Sequence, residues 1–229
     1  MRSPGNVLVT GGASGLGAAT VEAVVAHGGT ALVIDRATPQ GPAKFVRADL
    51  ADREATERAV RELVDDVGGR LDGVFTAAGV DSCGRLDEVP ADDWERVIQV
   101  NLIGTATVAR AALPYLERSR GRLVTCASTL GLKAVSDATA YCASKFGVVG
   151  FTRALAAETA GRIGVTLLVP GGMRTPFFDG RDEQYKPPPG ASLNDPRDVA
   201  AMVLVALTQP PGCEVREMVI CPSEETSWP

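Results

Sequence analysis

Seven short runs of apolar and β-branched residues alternate along this chain with longer segments of helical periodicity, and that alternation constrains the fold most. The runs cover 6–10, 30–35, 44–48, 73–77, 122–127, 165–169 and 218–221, with helical stretches near 15–28, 52–67, 91–118, 138–160 and 196–208. Alternation of this kind builds a parallel sheet covered by helices on both faces. Near-continuous strands such as Asn6-Val-Leu-Val-Thr10 and Leu123-Val-Thr-Cys-Ala127 suit burial on both sides. The expectation is an α/β protein: one doubly wound domain over residues 1–229, with about seven parallel strands. A chain of 229 residues has room for one such unit and not for two.

Composition narrows the function. Hydrophobic residues at 45% and charged residues at 22% describe an ordinary globular chain. A net charge of −5 gives no electrostatic reason to expect nucleic acid or an anionic membrane as partner. No apolar run approaches the roughly 20 residues of a membrane span, and the first six residues do not read as a signal peptide. The five cysteines are odd in number and show no C-x-x-C spacing, so free thiols in a reducing, cytoplasmic setting are expected. The single histidine, His27, falls near the end of the first helical stretch, where a surface position is expected. Neither a histidine triad nor a zinc site is therefore expected, and no metal is expected. Acid–base chemistry falls to tyrosine, lysine or a carboxylate.

Thr10-Gly-Gly-Ala-Ser-Gly-Leu-Gly17 directly follows the first strand and opens the first helix. Gly11, Gly15 and Gly17 carry the G-x-x-x-G-x-G spacing. A tight turn, close backbone approach to a pyrophosphate and close helix–strand packing all require glycine at such positions. The helix N-terminus adds free N–H groups and partial positive charge for phosphate. Asp35 ends the second strand, eighteen positions after Gly17, where a carboxylate can accept from the ribose hydroxyls of NAD. Ser14 stands where a basic residue would favour the 2′-phosphate of NADP. NAD is therefore favoured, while Arg36 keeps NADP open.

Tyr141 and Lys145 lie four residues apart in Tyr-Cys-Ala-Ser-Lys, on one face of an expected helix. A phenol of pKa about 10 is only ~0.1% ionised at neutral pH, and a neighbouring ammonium is expected to lower that value by roughly 1–3 units. Ser128 follows the fifth strand, thirteen residues before Tyr141, and Asn101 lies in the preceding helical stretch. The carboxyl ends of parallel strands place Ser128 and the glycine loop on one sheet edge.

With these residues together, the chain resembles the short-chain dehydrogenase/reductase family over nearly its whole length. Asp49-Leu50, Gly79 and Pro170-Gly171 through Thr175 fall at matching positions. The resemblance implies a Rossmann-type fold and hydride transfer between a nicotinamide cofactor and a secondary alcohol, ketone or 3-hydroxy acid. It implies Tyr141 as general acid–base, Ser128 as donor to the substrate oxygen, Lys145 as partner of the phenol and the ribose, and Asn101 as holder of a water beside Lys145. Cofactor contacts would come from Gly11, Ser14, Gly15, Leu16, Gly17, Asp35, Arg36, Asp49, Leu50, Ala77, Ala78, Gly79, Tyr141, Lys145, Pro170, Gly171, Met173 and Thr175. A homodimer or homotetramer is implied, acting on a small alcohol or carbonyl compound. The alternative, a dinucleotide-binding sensor or scaffold without turnover, should lack one of the three catalytic side chains, and this chain has all of them. A nucleotide-sugar epimerase or dehydratase would need a larger C-terminal domain.

Three departures stand out. Thr76-Ala77-Ala78-Gly79 replaces the family's Asn-Asn-Ala-Gly, so a bracing amide is lost. Residues 36–43 are too few for the usual helix there. The ending from Glu217 to Pro229 differs and looks more like that of 3-hydroxy-acid dehydrogenases. A Gly/Pro/Asp-rich stretch, about 171–195, is expected to form a substrate loop. Substrate walls are expected from Leu86, Leu130, Leu132, Phe177, Phe178 and Tyr185, with Lys133, Arg174 and Arg181 as nearby charges. An inward Arg174 or Arg181 would bind a substrate carboxylate.

Overall fold

The computed structural model describes residues 2–228. Seven strands pair in parallel in the order β3-β2-β1-β4-β5-β6-β7: β1 Asn6–Thr10, β2 Thr30–Asp35, β3 Lys44–Arg47, β4 Gly73–Thr76, β5 Arg122–Cys126, β6 Gly164–Pro170 and β7 Glu217–Ile220. The expected strands agree to within a residue at each end. Val and Leu side chains alternate to opposite faces along each strand and are buried on both.

Helices α1 (Gly15–Ala26) and α6 (Pro196–Leu207) cover one face. Val21, Val24, Val203 and Leu204 pack there on Val7, Val9, Phe75 and Leu168. Helices α2 (Arg53–Asp65) and α4 (Thr105–Ser119), with α5 (Thr139–Glu158), cover the other. Val60, Leu63, Val108 and Leu116 meet Leu8, Leu32, Val74 and Leu123 on that face. Each such aliphatic side chain, fully buried, contributes about 1.5–3 kcal/mol.

Two local features bear on the site. The helical stretch expected over 91–118 is not uniform: α3 (Ala91–Ile98) runs into a π-helical segment, Gln99–Gly104, before α4 begins. Such segments interrupt the i→i+4 ladder and concentrate at functional positions. The link between β2 and β3 carries no helix, as its length foretold, so Phe45 on the outer strand is only partly covered, with the Arg47 guanidinium 5.8 Å over its ring.

Candidate active site

Between β1 and β4 the strand order reverses, and a cleft of about 500 Å³ opens along the carboxyl ends of the strands. All the residues expected to hold a cofactor line it, as do Ser128, Tyr141 and Lys145. Asn101 does not: it is buried behind the wall.

At one end the glycine loop is a cradle that side chains would fill. Gly11 has φ +71°, and a Cβ on Gly17 would sit 2.1 Å from the Gly11 carbonyl oxygen. Gly12 was missed by the motif, yet a Cβ there would lie 2.8 Å from Val33 Cγ1. Its signal was only a second glycine in a pair. These clearances, with the opening turn of α1 beside them, fit a dinucleotide phosphate. Asp35 accepts from the backbone N–H groups of Ala13 and Ala37, both at 2.9 Å, so its carboxylate ties the loop to the end of β2.

Asp49 is already engaged. It accepts from Arg96 at 2.8 Å and from the Ala51 N–H at 3.0 Å, with Arg36 3.9 Å away. Burial pushes its pKa up, but these partners outweigh that and hold it below its ordinary value. Arg96, absent from the sequence reading, thus lines the nucleotide end beside Arg36.

At the other end, α5 carries Tyr141 and Lys145 on one side, and Ser128 stands just past β5. Lys145 is buried and donates to the Cys126 carbonyl at 2.9 Å. Its Nζ lies 5.5 Å from the centroid of the Tyr141 ring. The expected lowering of the phenol pKa is not what this arrangement produces. Burial pushes Tyr141 up, with Asp81 adding to it, while a hydrogen bond from Ser128 and the Arg181 charge only partly oppose. Burial also lowers Lys145, which weakens the cation expected to assist. Desolvation outweighs the Ser128 hydrogen bond and the Arg181 charge.

The Asn101 side chain faces Val80 and Ser144. Its Nδ2 donates to Val80 O at 2.9 Å and Ser144 Oγ at 3.0 Å, and its Oδ1 accepts from Val80 N at 2.8 Å. The side chain expected to hold a water is used by protein partners. Ser144 Oγ in turn donates to Tyr141 O at 2.8 Å. The π segment thereby braces both the loop after β4 and the first turns of α5. Thr76, in place of the family's asparagine, leaves a buried hydroxyl without a partner.

Residues beyond β6 close the substrate end. Phe177 and Phe178 line it, the Phe177 ring 5.7 Å from Tyr141. Leu130 also lines it, but Leu86 is 65% exposed and takes no part, and Leu132 packs beneath α5. Tyr185 contributes only its carbonyl, to Arg181 at 3.2 Å. Arg174 is exposed, whereas Arg181 points in and pairs with Asp81 at 2.5 Å. Lys133 reaches Thr226 O at 3.3 Å.

The C-terminal tail adds Glu225 and Ser227 to the wall. Glu225 accepts from Gly172 N at 2.9 Å, and Ser227 Oγ lies 2.6 Å from Thr129 Oγ1. A Cβ on Gly171 would sit 2.2 Å from Glu225 Oε2, so the tail needs glycine beneath it. His27 is exposed, its Nδ1 2.8 Å from Ala23 O at the end of α1, and Cys83, Cys126, Cys142, Cys213 and Cys221 are free.

A doubly wound sheet with a glycine cradle and a Ser/Tyr/Lys wall at its switch point defines a nucleotide-binding α/β class. Residues 5–186 match the short chain dehydrogenase family model, and the chain belongs to that family of oxidoreductases. It is 32% identical over 227 residues to an uncharacterised oxidoreductase of Staphylococcus aureus strain N315, covering 94% of this chain and 96% of that one. It is 30% identical over 191 residues to meso-2,3-butanediol dehydrogenase of Serratia marcescens, covering 79% and 76%. The fold matches the ligand-free aldohexose dehydrogenase of Thermoplasma acidophilum with a TM-score of 0.86 at 22% identity, covering 96% and 93%.

Proposed function

We propose that the protein transfers hydride between a nicotinamide dinucleotide and a small secondary alcohol or its ketone, with Tyr141 as general acid and base. The observation that carries this reading is the shared cleft: Ser128, Tyr141 and Lys145 form one wall of the space whose far end is the glycine cradle. A nicotinamide dinucleotide held at the glycine cradle would supply the hydride acceptor for the alcohol carbon, or the hydride donor for the carbonyl. The chain handles the proton. Tyr141 Oη takes it from the hydroxyl as the C=O bond forms and gives it back in reduction. The Ser128 hydroxyl donates to the same oxygen where negative charge develops. Lys145 Nζ, next to Gly79, serves the ribose hydroxyls. Asn101 acts as a brace for Val80 and Ser144. The likeness to a butanediol dehydrogenase supports the alcohol/ketone class.

Asp35 favours NAD, because a 2′-phosphate would bring negative charge against its carboxylate. Residues 171–195 form the substrate loop. Exposed Ile103 and Phe146 support self-association into a dimer or tetramer. No described helix is long and apolar enough to cross a membrane, and the free thiols support a cytoplasmic location.

A spectrophotometric screen of alcohols and ketones with NAD and NADP tests the reading. Tyr141→Phe should lower kcat about 10²–10⁴-fold while cofactor binding persists. Near-wild-type turnover in that variant would remove Tyr141 from the chemistry.

A further inference from the structure

We infer that Arg181, fixed by Asp81, selects the substrate by donating a hydrogen bond to a second, uncharged oxygen, so that small diols, hydroxyketones and diketones are preferred over simple alcohols and hydroxy acids. This rests on the hydride-transfer reading and names the substrate class of that site.

Arg181 comes from the loop that closes the substrate end and lines the cleft. Its guanidinium carbon lies 4.9 Å from the Phe177 ring centroid and 4.7 Å from that of Phe178. Phe177 in turn packs against the Tyr141 ring at 5.7 Å. One aromatic ring therefore separates the guanidinium from the proposed acid–base group. Both charges act on the Tyr141 phenol: Asp81 pushes its pKa up and Arg181 pulls it down.

Asp81 does not line the cleft. It sits behind Arg181 with its side chain only 6% exposed, against 18% for Arg181. Its carboxylate accepts from Ser82 N at 2.8 Å, from Cys83 Sγ at 3.2 Å and from Arg181 at 2.5 Å. The guanidinium is thus held in place and neutralised from the protein side. Of the five N–H donors an arginine carries, two are used, toward Asp81 and the Tyr185 carbonyl. Nε is buried with no acceptor. That atom is closed to solvent, so the donors left for a ligand oxygen are the remaining N–H groups of Nη1 and Nη2, on a side chain that is 18% exposed.

The charge balance decides which oxygen. A carboxylate would meet a guanidinium already paired and would bring a second negative charge toward Asp81. An ammonium would meet the guanidinium directly. A hydroxyl or carbonyl oxygen accepts the hydrogen bond with neither penalty, and the flanking rings keep water from competing.

Three four-carbon substrates share a skeleton and differ in the second group: butan-2-ol, butane-2,3-diol and 3-hydroxybutanoate. The expected order of kcat/KM has the diol at least about tenfold above the other two, the scale of one hydrogen bond to a charged donor. Arg181→Lys keeps a cation for Asp81 but loses the fork, and should shrink the diol-to-monoalcohol ratio about tenfold. Asp81→Asn leaves the guanidinium unneutralised and should raise 3-hydroxybutanoate relative to the diol, a shift that mere loosening of the loop would not give. Equal kcat/KM for diol and monoalcohol in the wild type, or an unchanged ratio in Arg181→Lys, overturns the inference alone. No turnover of any compound by protein that still binds the cofactor overturns the hydride-transfer reading with it.

Discussion

The two ends of the cleft are built from different materials. The nucleotide end is backbone: glycines that leave room, N–H groups at the start of α1, and a carboxylate spent on bracing Ala13 and Ala37. The reacting end is side chain: a buried lysine, a half-buried phenol, an ion pair 100 residues apart in sequence and a tail folded back over Gly171 and Gly172. Backbone cradles tolerate surface change but no added carbon. Side-chain networks tolerate neither removal nor a shift in polarity without changing the chemistry. Substitutions at the two ends should therefore fail in different ways.

The sharpest break is Gly17→Ala. Its methyl group would lie 2.1 Å from the Gly11 carbonyl oxygen, so the loop must open. Cofactor affinity should fall at least about a hundredfold, and the melting temperature should drop as α1 shifts from β1. Binding measured by fluorescence of the reduced cofactor near the wild-type value would show that the cradle is not rigid.

A smaller effect sharpens the reacting end. Burial pushes Tyr141 above the ordinary tyrosine value of about 10 in the unliganded protein. A wild type minus Tyr141→Phe ultraviolet titration should therefore show no Tyr141 ionisation below pH 10. The sign for stability follows. Above pH 10 the unfolded chain releases this proton while the folded chain keeps it, so stability falls as pH rises. Tyr141→Phe should flatten that slope. An inflection well below 10 would mean that Lys145 outweighs desolvation after all.

The smallest expected effect is at Thr76, between the two ends on the central strand. Its buried hydroxyl has no partner, so Thr76→Val removes a polar group and keeps the shape. Stability to urea should stay level or rise by up to about 1 kcal/mol, and a loss above that would reveal a partner for the hydroxyl.

The same division explains what could be read from residues alone. Doubly covered strands write themselves as apolar runs, so β1, β5 and β6 were legible to within a residue. Glycines at Gly11, Gly15 and Gly17 and the four-residue step from Tyr141 to Lys145 are local patterns too. Arg181 with Asp81, and Glu225 with Gly172, join distant segments and leave no periodic trace. The sign of the Tyr141 shift depends on how much protein surrounds the phenol, which spacing does not encode. Asn101 was placed correctly in the chain, but its partner, the backbone of Val80, has no side-chain signature.

The π-helical turn at Gln99–Gly104 has an engineering corollary. In an α-helix each residue advances the side chains by about 100°. The wider turn between α3 and α4 changes the angular phase between Val97, buried before it, and Val108, Ala112 and Leu116, buried after it. Excising a single residue from that stretch would wind it into ordinary α-helix and rotate one flank against the other. Asn101 would then lose sight of Val80, and the wall of Ser128, Tyr141 and Lys145 would drift without any of its own residues being touched.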